Sequence, residues 1–276
     1  MSCIIVISCY KKDLKWTQQL FSLNIKKIYV YDHSDIIPEN EFLLNNDNYY
    51  YEKIENKGCE SSAYLKYIMD NYNNLPDKII LLHDDEYTWH HVGSIVDLIK
   101  NSIDSDKPFI SLNSYTWVHA SIDTEGYIEE FKPNDYYYSL YSLLLEPYYG
   151  DIRNFGNFLN GHKGCAQMII TKSSIVRNSH IFYINLYNYC MSDNVKIGHV
   201  AFGFGYFMEF TWHIIFGHVL NLNTLRGTWK YSAINITTDF INIYAKLGDG
   251  RGSWVPSVIL LNEEHLFHNK NGIAVK

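Results

Sequence analysis

The stretch Lys78-Ile79-Ile80-Leu81-Leu82-His83-Asp84-Asp85-Glu86 decides how the rest of the chain is read. The aliphatic run Ile79 to Leu82 reads as a strand buried on both faces, the pattern of a parallel sheet. It stops abruptly in a histidine and three acids. In open α/β sheets ligands bind beyond the carboxyl ends of the strands, near the point where the strand order reverses. Clustered acids at such a point repel one another unless something neutralises them. His83-Asp84-Asp85-Glu86 is therefore the first candidate site.

Upstream, Cys3–Cys9 is another short apolar run rich in β-branched residues, again the pattern of a buried parallel strand. Residues 14–23 carry Leu14, Trp16 or Thr17, Leu20 and Phe21 at helical spacing, and residues 27–31 read as a second strand ending at Asp32-His33-Ser34. An Asn- and Glu-rich connection follows. Ala63, Tyr67, Ile68 and Met69 then set out an amphipathic helix that Pro76 closes. Downstream, residues 92–99 suit a helix and 109–112 another buried strand. This alternation predicts an α/β fold, Rossmann-like, with a mostly parallel central sheet flanked by helices and right-handed crossovers.

The second half is less regular, so a single domain over 1–276 is expected, with the site in 1–115 and an elaborated half in 116–276. Residues 127–159 read as long loops or a helical insertion, 164–171 as a strand and 173–191 as a helix. Residues 207–219 form an apolar helix candidate carrying Glu209, His213 and His218, and Gly248-Asp249-Gly250-Arg251-Gly252 is a turn.

A net charge of −7 argues against broad nucleic-acid binding, which needs a basic field. A pocket for one nucleoside diphosphate needs only a metal ion or a few cations. The five cysteines are an odd number with no CxxC pair, which reads as reduced thiols in a cytoplasmic protein. No signal-peptide pattern is visible, and the Cys3–Cys9 run is too short to span a membrane. The abundance of Tyr, Asn, Ile and Lys fits AT-rich codon usage, so the 24 tyrosines do not argue for sugar stacking.

Acids at i and i+2 can offer hard oxygen ligands to Mg²⁺ or Mn²⁺, and such an ion offsets the charge growing on a departing nucleoside diphosphate. Acids in this position also simply begin a loop or cap the next helix, and spacing leaves both readings open. Glu209 stands alone among apolar and aromatic neighbours. Burial would raise its pKa toward a working range, which makes it the candidate general base for an acceptor hydroxyl. Lys57-Gly58 could bring an ammonium and a close-approaching backbone to a phosphate. His83, His90, His91, His213, His218, His265 and His268 are numerous, but for any one of them a structural role is the default.

The order Asn56-Lys57-Gly58, then Ala63, then Leu81-Leu82-His83-Asp84-Asp85-Glu86 resembles the nucleotide-sugar half of GT-A glycosyltransferases. The resemblance implies a GT-A-like fold, transfer of a sugar from a nucleoside diphosphate sugar, with UDP the expected nucleotide, to a glycan or other hydroxyl acceptor, and help from Mn²⁺ or Mg²⁺. It implies that Cys9-Tyr10-Lys11 approach the base and that Asp32 contacts uracil or ribose. Asp84, with Glu86 or Asp85, would take the ribose and metal roles, and His265 or His268 would complete the metal site. The second acid here is Glu at i+2, which leaves the ligand choice among Asp84, Asp85 and Glu86 open. A wider pattern is similar to a family of unknown function found in fungi and large DNA viruses, whose viral members would act in the host cytoplasm. It includes Trp16, Glu60, Tyr64-Leu65, Leu75-Pro76-Asp77, Gly164-Cys165-Ala166-Gln167 and Glu209-Phe210-Thr211-Trp212. Two other functions stand beside the transferase. One is a metal-dependent hydrolase using His83, Asp84, Asp85, Glu86 and His90, and the other is a catalytically silent sugar-binding protein.

Overall fold

The computed structural model of the chain describes residues 2–88, 91, 93–113, 115–118, 121–122, 128–129, 135–150, 166–195, 203–217 and 258–261. Its strands are β1 (Cys3–Cys9), β2 (Ile28–Asp32), β3 (Tyr49–Lys53), β4 (Lys78–Leu82), β5 (Phe109–Ser111), β6 (Tyr115–Val118), β7 (Ser121–Ile122), β8 (Ile128–Glu129), β9 (Met168–Thr171) and β10 (Val258–Leu261). Its helices are α1 (Glu60–Asn71), α2 (Ile95–Ser102), α3 (Asp135–Leu144), α4 (Glu146–Tyr149), α5 (Lys172–Val176), α6 (His180–Cys190) and α7 (Phe204–Ile215).

The main sheet runs β3-β2-β1-β4-β9-β5. β1 to β4 pair in parallel, as the unbroken apolar runs of the central β1 and β4 lead one to expect, whereas β9 is antiparallel to both β4 and β5. The mostly parallel α/β sheet is thus the one the sequence predicts. β5, however, does not pair with β4: a strand from the second half inserts between them. Pattern alone reveals that residues form a strand, not which strand they lie beside. β6 with β10 and β7 with β8 form two small antiparallel ladders.

Every residue of β1 and of β4 is buried, because alternate side chains feed two separate cores. Ile4, Val6, Ile79 and Leu81 pack with α1, α6 and α7 on one face. Ile5, Ile7, Ile80 and Leu82 pack with Leu14, Leu20, Ile95 and Ile99 on the other. Lys78 is buried at the start of β4, and its ammonium donates to the backbone oxygens of Ile103 (2.5 Å) and Ser105 (2.7 Å), where α2 ends and carbonyls lack partners.

Three local readings change. The segment read as a helix over 14–23 is a 3-10 helix, Lys15–Leu23, closed by Asn24 in the left-handed region. The Asn- and Glu-rich connection holds a second 3-10 helix, Pro38–Asn45, and the edge strand β3. The single helix expected over 173–191 is two, α5 and α6, parted at Asn178. That side chain donates to the Ile215 oxygen (2.8 Å) and accepts from the Tyr149 hydroxyl (2.8 Å), which ties the break to α7. Among the described residues no helix is long and apolar enough to cross a membrane.

Gly58 joins the sheet to α1 at φ +66°, and a methyl group there would lie 2.3 Å from Cys190 Sγ and 3.2 Å from Phe204 Cδ1. Gly58→Ala should therefore destabilise the fold by about 2–4 kcal/mol, combining left-handed strain with overpacking. Urea denaturation will show it as a lowered midpoint, and Cys190→Ala in the same chain should recover the packing part alone. An unchanged midpoint in Gly58→Ala would contradict the close approach of this turn to α6.

Candidate functional site

The strand order places its reversal between β1 and β4, where the crevice opens in sheets of this kind. The chain leaving β1 there meets the chain leaving β4. The Tyr10 backbone N–H donates to Asp84 Oδ2 (2.7 Å), and the Trp16 indole N–H donates to the Asp84 backbone oxygen (3.0 Å). The loop is itself fixed. The buried Asn40 amide donates to the Lys12 oxygen (2.7 Å) while its own oxygen accepts from the Leu14 N–H (2.9 Å). Lys11 turns the chain at φ +57° and donates its N–H to Ser34 Oγ (3.2 Å).

The three acids diverge. Burial pushes the Asp84 carboxyl up to about 7, with the charge of Asp85 adding and the Tyr10 N–H opposing. Asp85 is half-exposed and lies 3.0 Å from the Lys12 ammonium. Glu86 accepts from the Ser94 hydroxyl (2.8 Å), and Ser94 is the N-cap of α2, its oxygen accepting from the Val96 N–H (3.2 Å). The helix-capping alternative therefore describes Glu86, while Asp84 and Asp85 face the crevice loop. Among the described residues no three His, Cys, Asp or Glu side chains form a metal-holding group. His90, His265 and His268 lie outside the described residues.

The other sequence candidates take distinct places. Cys9 is buried at the end of β1, and burial, reinforced by Asp84 and Asp32, pushes its thiol far up, which leaves it unreactive. Tyr10 is 48% exposed, with the Lys11 ammonium 5.2 Å from its ring centre. Asp32 is buried at the end of β2. It accepts from the Ser34 N–H (2.9 Å), the Ser34 hydroxyl (2.7 Å) and the Tyr51 hydroxyl (3.2 Å), so it shapes the turn under the crevice. Lys57 is also buried. Its ammonium donates to the Met191 and Ser192 oxygens (3.2 and 3.4 Å) beyond the end of α6 and lies 3.5 Å from Glu55 Oε1, which directs it to a helix end instead of a phosphate.

Glu209 has a partner, Glu60, which the family-like sequence pattern contains but to which sequence reasoning gives no role. Gly205 packs so closely on the turn before α1 that a methyl group there would come within 2.9 Å of the Gly58 oxygen and 3.1 Å of Cys59 Sγ. Glu209 lies one turn further along the same face of α7. The next turn brings Trp212 against Tyr64, with ring centres 6.1 Å apart. Glu60, one turn before Tyr64, is thereby set beside Glu209. Burial raises both carboxyls, Glu60 to about 7 and Glu209 well above its ordinary range with Glu60 adding to the shift. Glu60 also accepts its own backbone N–H in the first turn of α1, where the helix field favours an anion. Glu60 Oε1 is buried with no hydrogen-bond partner. An acid at the first position of a helix reads in sequence as an ordinary N-terminal residue, which hid this one. Cys59, just before it, is held at φ 53°, ψ −138°, a strained conformation for a residue with a side chain.

Residues 4–226 match the model of a family described as Protein of unknown function (DUF3431). No curated protein matches the chain. Among solved structures, the chain is similar to a 4-diphosphocytidyl-2C-methyl-D-erythritol synthase from Anaerococcus prevotii. The two share 14% identity over 90% of this chain and 96% of that one, with a TM-score of 0.36.

Because the folded Asp84 carboxyl is raised from 3.8 to about 7, its contribution to stability is complete below the unfolded value and is lost as pH climbs to the folded one. Ionising it in the fold costs on the order of 4 kcal/mol by pH 8. Asp84→Asn keeps an acceptor for the Tyr10 N–H but cannot ionise. Urea unfolding should find it close to wild type near pH 4 and more stable by a few kcal/mol near pH 8. A variant less stable at pH 8 would mean that the charged form is the favoured one.

Proposed function

The chain belongs to the family of unknown function that its residues 4–226 match, and from that premise and the β1–β4 crevice we propose that it is a glycosyltransferase. In this reading it moves a sugar from a nucleoside diphosphate sugar to a hydroxyl acceptor with divalent-metal assistance. The observation that carries the reading is the Tyr10–Asp84 hydrogen bond across the reversal of strand order. It gathers two adjacent carboxylates and the lysines Lys11 and Lys12 at one ligand-binding edge, beside the exposed ring of Tyr10 and that of Tyr87, 62% exposed. Flat exposed rings suit a base or a sugar face, and the lysines suit a diphosphate.

Asp85 with Asp84 fits a hard cation, since Mg²⁺ and Mn²⁺ are commonly held by one or two carboxylates and completed by substrate phosphate oxygens. When bound there, the ion offsets the negative charge that grows on the departing nucleoside diphosphate. The remaining work falls to the chain. Tyr10 and Trp16 fix Asp84 in place. Glu60 and Glu209 lie on the same edge of the sheet, because α1 begins where the chain returns from β3, and burial raises both carboxyls. An ionised member of the pair can accept the proton of an acceptor hydroxyl as it attacks the sugar, and raised basicity favours that transfer. A hydrolase would need His83, Asp84, Asp85 and Glu86 to converge on one ion, whereas Glu86 turns to Ser94 and Asp85 to Lys12.

Thermal-shift screening of UDP, GDP, CDP and TDP, with and without Mn²⁺, should find one nucleotide that stabilises the protein in a metal-dependent way, an effect lost in Asp84→Ala. At ligand near 100 Kd the gain is about 2.7 kcal/mol. With that nucleotide's sugar as donor, Glu209→Gln should slow transfer by about 10²–10⁴-fold while leaving nucleotide binding intact. No response to any nucleotide would sink the donor site. Binding without turnover in the wild type would favour the silent sugar-binding reading.

A further inference from the structure

Gln167 immediately precedes β9, and its backbone is fixed. Its carbonyl accepts from the Leu112 N–H (2.9 Å) and from the Asn113 amide (3.2 Å), which carries the β5–β9 ladder one residue past Ser111. The Ala166 oxygen before it accepts from the Tyr64 hydroxyl at 2.6 Å. Alternation along the strand then decides where the side chain goes. Met168 and Ile170 feed the core beneath α1, while Ile169 feeds the opposite one, so Gln167 shares the face of Ile169. One step beyond the Leu81–Met168 pair, the antiparallel register sets Gln167 beside Leu82, which packs on that same face. Trp16 packs there too and donates its indole N–H to the Asp84 oxygen. Gln167 thus stands at the ligand-binding edge, on Asp84's side of the sheet. It is fully buried, yet neither its amide nitrogen nor its amide oxygen has a hydrogen-bond partner among the described residues. Such an amide costs the fold the desolvation of both groups, and an apolar side chain of the same shape would be more stable. A ligand that supplies one donor and one acceptor side by side turns that cost into recognition, because an analogue lacking them leaves the amide unpaired.

Resting on the donor-site reading above, we propose that Gln167 is the specificity-determining residue for the transferred sugar. Its amide oxygen accepts from one ring hydroxyl and its nitrogen donates to the next. A planar amide offers acceptor and donor in one plane, which suits two neighbouring hydroxyls and also the edge of a nucleobase. Position separates these two sources. Tyr10 and Lys11 follow β1, where base and diphosphate find their partners, whereas Gln167 lies across β4 from β1, beside β5. The sugar end of the donor is the part that extends to that side.

One substitution then has two effects of opposite sign. Gln167→Met, nearly isosteric and apolar, should raise the thermal unfolding midpoint of the unliganded protein by about 2–6 °C, since it removes an unpaired buried amide. The same variant should bind the sugar nucleotide about tenfold more weakly or worse, while the matching nucleoside diphosphate keeps its affinity. Titration calorimetry at saturating Mg²⁺ would compare UDP, GDP, CDP and TDP with UDP-glucose, UDP-galactose, GDP-mannose, CDP-glucose and TDP-glucose. Gln167→Leu, smaller and equally apolar, should agree in both affinities and so guards against poor packing of the methionine. A midpoint that falls in both variants would assign the amide to the fold and overturn the proposal whatever the affinities do. Unchanged affinity for every sugar nucleotide that wild type binds would overturn it while the donor site stands. Equal losses for a diphosphate and its sugar ester would keep the amide as a ligand contact but place the nucleobase against it, which overturns the sugar assignment. If wild type binds none of these compounds, the donor site and the role built on it both fall.

Discussion

The pairing of β1 with β4, buried on both faces, is the constraint from which the rest of the molecule follows. Neither strand has a surface on which to place polar chemistry, so polar groups can gather only at its ends. At the amino end of β4, Lys78 is drawn inward and satisfied by the end of α2. At the carboxyl end the two chains part around the crevice, and the Tyr10 N–H, which has no further strand to pair with, takes a carboxylate of Asp84 instead. The loop from Tyr10 to Trp16 is then held against β4 by side-chain bonds in place of the ladder that has run out. A candidate site at this point is a consequence of the strand order, not an addition to it.

Buried polar groups elsewhere show what an ordinary solution looks like. Asp32 has three donors, Lys57 has two carbonyls and a nearby carboxylate, and His33 bridges Ser8 Oγ (3.0 Å) to the Glu55 oxygen (3.2 Å). Each is desolvated and each is compensated. Asp84 and the Glu60–Glu209 pair differ, since burial and like charge outweigh the bonds they receive and their carboxyls rise. Groups held against their own preference mark places where local stability gives way to chemistry.

What could be read from the sequence follows the same physics. β1 and β4 are plain because two-sided burial leaves an unbroken aliphatic run. β3 is not, because an edge strand written Tyr-Tyr-Tyr-Glu-Lys has one partner and a mixed burial pattern. The acids after β4 stand out by position, yet position does not tell Glu86, which accepts from the N-cap Ser94 of α2, from Asp85, which meets Lys12; only the direction each side chain takes separates them. Glu209 stood out as a lone acid in an apolar helix. Its partner Glu60 did not, because an acid opening a helix is commonplace, and the two are brought together by packing of α7 on α1 at Gly205, more than a hundred residues away. The insertion of β9 between β4 and β5 is invisible for a related reason: strand neighbours are chosen by the whole fold.

The two acid pairs on this edge of the sheet are neutralised in different ways, and solvent exposure decides which. Burial raises the carboxyls of Glu60 and Glu209, with the charge of Glu60 adding to the shift of Glu209, so this pair favours its protonated forms. Asp85 stands half in water, where a lysine can reach it and desolvation is slight, so an ammonium relieves it instead. A retained proton can be passed to or taken from a reacting hydroxyl.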